Sequence, residues 1–184
     1  MSPAATLDPA AARTAALAAA DNLFYARGVA AVTVAEVRDR SGVSLRRLYS
    51  MYPSKSDLVA AWLKFRHVTW MTGFSERVRS EVSKRAAPVD AVFNALGRWM
   101  IATTFRGCGF INTHAESSEL TEQHRLIIQM HKKALADYLQ ETTAHGVALA
   151  VLVDGAIVQA SIFGNVEPIQ AARQAAQTLI GSSQ

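Results

Sequence analysis

Two adjacent arginines, Arg46 and Arg47, are the residues whose chemistry is most specific in this chain. A guanidinium group can form two parallel hydrogen bonds with the O6 and N7 atoms of guanine in the DNA major groove. Tyr49 and Ser50 follow shortly after, and their hydroxyl groups suit phosphate oxygens. Together these residues predict an element that binds double-stranded DNA. The pattern alone leaves open a second interpretation, an ordinary helical corner with a charged and solvated face.

The residues around the arginines predict the helices that would position them. Thr33 is followed three residues later by Glu36, which is the pattern of a capping box at the start of a helix. Gly42 predicts the end of that helix, because glycine readily takes the left-handed conformation. Ser44 can then cap a second short helix over residues 45–51. Two short helices around a glycine turn predict a helix-turn-helix, whose second helix enters the major groove.

The predicted DNA contacts divide into base readers and phosphate binders. We assign Arg46 and Arg47 to base edges. The residues assigned to phosphates are Ser44, Tyr49, Ser50 and Lys55. Arg13, near the start of the first predicted helix, could also reach a phosphate, although the sequence equally allows a solvated side chain. The complete predicted set is Thr33, Ser44, Leu45, Arg46, Arg47, Tyr49, Ser50 and Lys55.

The segment over residues 42–61 resembles the end of the DNA-binding domain in the TetR family of transcriptional repressors. The residues that carry the resemblance are Gly42-Val43-Ser44, Leu48-Tyr49, Tyr52, Pro53-Ser54-Lys55 and Asp57-Leu58, with Leu23-Phe24, Gly28, Thr33 and Val37 upstream. They lie within roughly the first third of the chain, and they are specific as a set. The resemblance implies a dimeric regulator with an inducer pocket in the remaining helical part.

Composition limits the class of protein. The chain has 184 residues, half of them hydrophobic, with a net charge of +4, which mildly favours a polyanionic partner. The single cysteine, Cys108, excludes an internal disulfide and fits a reducing compartment. No secretory signal is visible at the N-terminus, and no apolar run is expected to span a bilayer. We therefore expect a cytoplasmic protein with no membrane partner.

Hydrophobic spacing predicts helices throughout the chain, and no strand-like alternation stands out. Asp8-Pro9 begins the first helix, Ser54 caps a long linking helix, and Pro88 begins a helix whose apolar face extends to Thr103. In the helix that follows Thr121, the residues expected to face inward are Leu126, Ile127, Met130, Ala134, Leu135 and Tyr138. The predicted fold is all-α. It comprises a three-helix helix-turn-helix DNA-binding domain over residues 8–53 and a larger helical ligand-binding and dimerisation domain over residues 54–184.

The segment over residues 147–163 is apolar nearly all round, which predicts burial on most sides. Small residues such as Gly155, Ala156 and Ala160 permit close helix packing. This pattern favours a homodimer in which the last two helices meet their symmetry mates. The alternative is that the segment is the core of a monomer.

A small-molecule pocket is expected in the C-terminal part, because apolar and aromatic residues mix there with a few polar groups. Each residue taken singly could instead be ordinary core. The predicted ligand-binding residues are Trp62, Phe65, Trp99, Thr103, Phe110, Asn112 and Met130.

Other chemistry has weaker support in the sequence. Cys108 could sense oxidation if Arg106 lowered its pKa, but an inert buried thiol is the simpler interpretation. The histidines have no metal-binding spacing, and no nucleophile–base pair or phosphate-binding loop is present, so neither a metal nor another cofactor is expected. The favoured function is a ligand-responsive dimeric repressor. It would bind a palindromic operator and be released by a small hydrophobic or amphipathic effector. A helix-turn-helix activator, a ligand-insensitive regulator and a helical-bundle enzyme remain as alternatives.

Overall fold

A computed structural model describes residues 8–116 and 120–181, and within these ranges the chain forms nine α-helices and no strand. The helices are α1 (Pro9–Arg27), α2 (Val34–Ser41), α3 (Leu45–Met51), α4 (Lys55–Ser83), α5 (Pro88–Met100), α6 (Gly109–Glu116), α7 (Glu122–Thr143), α8 (Gly146–Phe163) and α9 (Glu167–Gly181). The all-α prediction is confirmed.

The described residues form two compact units. The first contains residues 8–66, 113–116 and 120–127, and the second contains residues 67–112 and 128–181. Helices α4, α6 and α7 each contribute residues to both units. The predicted boundary between residues 53 and 54 does not coincide with the division of the compact units after residue 66, and the assignment of a function to each side of it stays a prediction.

In the first unit, Asp21 joins α1 to α4. Its carboxylate oxygen Oδ1 accepts hydrogen bonds from Trp62 Nε1 and from Arg66 Nη1, both at 2.7 Å. The Arg66 guanidinium lies 3.6 Å from the centre of the Tyr25 ring, and Trp62 packs edge-on against Phe24. Trp62 and Arg66 are both buried. Trp62 therefore has a structural role in the core of the first unit.

We expect Asp21→Ala to lower the free energy of unfolding by about 2–3 kcal/mol, because it leaves a buried guanidinium and a buried indole N–H without their acceptor. This loss of stability is at the lower end of the range for removing one partner of a buried ion pair, because the Asp21 side chain is 30% exposed. Urea denaturation measures it. Asp21→Asn keeps an oxygen acceptor and should lose less. Equal midpoints for wild type and Asp21→Ala would contradict this role.

In the second unit, α5 ends at Met100, so the prediction that it extends to Thr103 is wrong. The Ala102 N–H donates to Trp99 O, and the Phe105 N–H donates to Ala102 O, which gives a tight turn. This turn brings the Phe105 ring edge-on to Trp99, with ring centres 5.0 Å apart. Packing of Phe105 onto α5 thus requires the chain to reverse, which helical spacing cannot indicate.

The inward face of α7 agrees with its prediction only in part, since Ile127 and Leu135 are buried as predicted. Leu126 and Met130 are exposed, at 54% and 47%, whereas Ile127, Ile128 and His131 are buried. Leu126 and Met130 each lie one residue before a buried residue, which places them about 100° around the helix from it. The difference arises because a histidine occupies a core position. Hydropathy alone would have placed His131 outside.

Helix α8 is covered on one side only. Leu149, Val153 and Ile157 are buried, but Val147 is 73% exposed and Val151 is 67% exposed. The expectation that α8 is buried on most sides is therefore wrong for a single chain. The expectation that no run could span a bilayer also needs correction. By length and composition α8 could cross a bilayer, although the core helix of a soluble protein can have the same length and composition.

Candidate nucleic-acid interface

A complete capping box begins α2. The Thr33 hydroxyl accepts from Glu36 N, while Glu36 Oε2 accepts from Thr33 N at 2.8 Å and from its hydroxyl at 2.9 Å. Arg27 Nη1 donates to Glu36 Oε1 at 2.6 Å. The Thr33 backbone N–H, the Arg27 guanidinium and the Thr33 hydroxyl lower the pKa of Glu36 to about 2. The predicted cap is confirmed, and Thr33 acts in it structurally.

The turn between α2 and α3 has the predicted geometry. Gly42 adopts the left-handed conformation with φ of 70°, and its N–H donates to Arg38 O. The Ser44 hydroxyl then accepts from Arg47 N and caps α3. Leu48 and Tyr52 are buried, so they anchor the inner side of this short helix. The opposite side of α3 is thereby held outward.

The outward side of α3 carries the predicted base readers. Arg46, Tyr49 and Ser50 are exposed, and Leu45 and Arg47 are partly exposed. In the described part of the chain, no carboxylate pairs with Arg46. An exposed guanidinium on a capped helix is available to the edge of a base.

The start of α4 contains a second capping box. The Ser54 hydroxyl accepts from Asp57 N, and Asp57 Oδ2 accepts from Ser54 N at 3.0 Å. The sequence places a serine and an aspartate at the required spacing, but we predicted only the serine cap. Lys55, next to this cap, directs its Nζ toward Ala30 O at 3.5 Å. The predicted phosphate contact by Lys55 stays a prediction.

The predicted ligand-binding residues lie in different parts of the fold. Trp62 and Phe65 belong to the first unit, and the other five belong to the second. Phe110 stacks on His131 with ring centres 3.6 Å apart, Trp99 contacts Trp70, and Thr103 is exposed in the turn after α5. Met130 points to the surface rather than into a pocket, because α7 turns that side outward.

The second unit contains a groove of about 730 Å³. Asn112 is the predicted ligand residue that lines it, and its Nδ2 donates to Arg106 O at 2.7 Å. The groove is formed where the turn after α5 lies beside the end of α8, so spacing along the chain could not reveal it. Its lining is Met100, Ile101, Ala102, Phe105, Arg106, Asn112, Ala160, Ser161, Gly164, Asn165 and Val166.

Cys108 is buried, and its Sγ lies 3.6 Å from Lys132 Nζ, which pairs with Asp154 at 2.7 Å. Arg106 donates to the carbonyl oxygens of Thr103 and Phe105. The nearby cation is therefore a lysine that the sequence pattern did not indicate. A redox role for Cys108 stays a hypothesis.

Two histidines of the second unit meet, with His67 Nδ1 and His131 Nδ1 3.1 Å apart. Burial lowers the pKa of His67, so the neutral form is favoured. No third histidine, cysteine or carboxylate completes a metal-binding group within residues 8–116 and 120–181. A hydrogen bond in which the N–H of one ring donates to the nitrogen of the other explains this short distance.

Comparison with known proteins connects this geometry to a family. Residues 16–62 match the model of bacterial regulatory proteins of the tetR family. No curated protein matches the chain significantly. A solved TetR-family transcriptional regulator from Streptomyces coelicolor is 25% identical, with a TM-score of 0.77, and the match covers 94% of this chain and 96% of that one.

Two further solved structures support the fold. The reduced form of NemR from E. coli is 20% identical with a TM-score of 0.76, and the match covers 91% of this chain and 96% of that one. A TetR-family regulator from Agrobacterium tumefaciens is 20% identical with a TM-score of 0.74, and the match covers 92% and 97% of the two chains.

Proposed function

We propose that this chain, which belongs to the TetR family of transcriptional regulators, represses transcription as a homodimer bound to a palindromic operator. Regulators of this family are DNA-binding transcription factors and not enzymes. The observation that carries the proposal is the outward side of α3, where Arg46 and Tyr49 are exposed beyond a helix anchored by Leu48. A DNA-binding protein of this kind acts in the cytoplasm.

Readout of the operator is assigned to α3. Arg46 and Arg47 would contact base edges, while Ser44, Tyr49 and Ser50 would contact the sugar–phosphate backbone. The hydrogen bond from the Ser50 hydroxyl to Arg47 O still leaves oxygen lone pairs free to accept. Leu45 at the start of α3, Thr33 at the start of α2 and Lys55 at the start of α4 complete the proposed contact surface.

Dimerisation is assigned to the exposed side of α8. Val147, Val151 and Ile162 lie on it, and Gly155 between them has no atom within 4 Å of the position a Cβ would take. Exposed apolar residues at intervals of about four form one continuous stripe on a helix. Such a stripe favours an isologous contact with a second copy, because one two-fold axis would cover both stripes.

The effector site is assigned to the groove of the second unit that Phe105, Arg106 and Asn112 line. Its volume of about 730 Å³ suits a small molecule. Apolar and polar side chains share the lining, which fits a hydrophobic or amphipathic effector. Coupling to the DNA is assigned to α4, which contributes to both units. The effector would release DNA only through its preference for the state that binds DNA poorly.

Selection of bound sequences from a random duplex pool tests the proposal. We expect an enriched inverted repeat, because two copies of α3 related by a two-fold axis read the same half-site in opposite directions. A reporter gene placed behind the enriched sequence then distinguishes a repressor from an activator. Failure to enrich any sequence would contradict operator binding, and a single unrepeated site would contradict the homodimer.

A further inference from the structure

We propose that Arg13 and the hydroxyl of Tyr52 together bind one DNA phosphate beside α3. In the bound state, an Arg13 N–H donates to the Tyr52 oxygen, and the Tyr52 O–H and another Arg13 N–H donate to oxygens of the same phosphate. This inference rests on the proposed DNA binding, and it adds a contact from α1 to those of α3 and α4.

The first observation is an unsatisfied hydroxyl. Tyr52 is 5% exposed, and its oxygen is buried with no hydrogen-bond partner among the described residues. Buried polar groups almost always have partners, so an exception needs an explanation. The ring of Tyr52 already fills its place below α3, and a phenylalanine would fill the same space. The O–H proton therefore has no acceptor in the described part of the free protein.

The second observation is the cation beside that ring. The guanidinium carbon of Arg13 lies 5.7 Å from the ring centre of Tyr52. Arg13 is exposed, and no carboxylate of the described residues pairs with it. Burial raises the pKa of Tyr52, while the charge of Arg13 and the approach of its guanidinium to the hydroxyl oxygen act to lower it, so the two groups share one environment. A cation without a carboxylate partner, next to a hydroxyl whose proton has no acceptor among the described residues, is a suitable pair for a phosphate.

The position of the pair matches the backbone of a duplex that α3 enters. Tyr52 caps the C-terminal end of α3, and its N–H donates to Leu48 O at 2.8 Å. The major groove is about 12 Å wide, so phosphates lie close to both sides of a helix placed in it. A residue at the C-terminal end of α3, such as Tyr52, thus lies near the DNA strand that borders the groove. Anchoring α1 to that strand would fix the angle at which α3 enters.

The test measures binding of the full-length protein to a mixed-sequence duplex over a series of KCl concentrations. Arg13→Ala should make the slope of log Kobs against log salt shallower by about 0.9 for each subunit, because one phosphate contact is lost. Lys64→Ala is the matched control. Lys64 is an exposed cation of the same unit, on α4 and about 13 Å along that helix from Lys55. It should leave the slope unchanged.

Tyr52→Phe separates the hydroxyl from the charge. It should weaken binding by about tenfold without changing the salt slope, since a neutral group is removed from a charge-assisted hydrogen bond. Its urea midpoint should stay at or above that of the wild type, because the lost O–H has no acceptor among the described residues. Wild-type affinity in Tyr52→Phe, or a lowered urea midpoint, would overturn the role of the hydroxyl.

The remaining outcomes are also decisive. Equal slope changes in Arg13→Ala and Lys64→Ala would show an effect of net charge and would overturn the site. A wild-type slope in Arg13→Ala would overturn it as well. If the wild-type protein bound no duplex at all, the proposed function itself would fail. If the wild type bound DNA and the variants bound it equally well, only the phosphate site would fail.

Discussion

Val151→Asp is expected to convert the protein into a monomer and to weaken operator binding by about 10²–10⁴-fold. Val151 lies near the middle of the exposed stripe of α8 and is 67% exposed in the single chain. The proposed two-fold contact would bury two copies of the new carboxylate against apolar surface and against each other. Two linked α3 helices bind an operator far more tightly than one, so loss of the dimer removes this gain.

Sedimentation or light scattering measures the mass of the variant, and a fluorescent operator duplex measures its affinity. Leu126→Asp is the matched control. Leu126 is also an exposed apolar residue, but it lies on α7. It should leave both the mass and the affinity unchanged. The high exposure of Val151 means that the fold of each subunit should survive. A Val151→Asp variant that remains dimeric would exclude this side of α8 as the interface.

Arg46→Ala is expected to cost about 1–3 kcal/mol for each half-site and to relax the sequence preference at one base position. The reason is that the variant loses the two parallel hydrogen bonds between the Arg46 guanidinium and one guanine. The effect should be larger on the selected operator than on unrelated duplexes, because a base contact contributes only where the correct base is present. Selection repeated with the variant measures which position loses its preference.

Arg46→Lys is the informative companion variant. Lysine keeps the charge but not the planar pair of donors, so we expect the salt slope to remain while the base preference weakens. Arg79→Ala removes an exposed arginine from the second unit and should change neither quantity. An Arg46→Ala variant that selects the wild-type operator would exclude Arg46 from base readout.

Local rules determined the elements of the helix-turn-helix. The capping box of Thr33 and Glu36, the left-handed Gly42 and the cap at Ser44 each act within three or four residues. Such interactions are readable from sequence because both partners are close along the chain. The same holds for the start of α1, where the Asp8 carboxylate accepts from Ala10 N and Ala11 N.

Contacts between distant residues decided the remainder. The inward direction of His131 depends on Phe110, the role of Trp62 depends on Asp21, and the reversal after Met100 depends on Phe105 packing back onto α5. A hydrophobic pattern records which residues are apolar, but it does not record which neighbour covers them. For this reason the groove of the second unit and the exposed stripe of α8 are visible only in the folded chain. The helices and the predicted reading residues could be inferred from the sequence itself, because their stabilising partners are local.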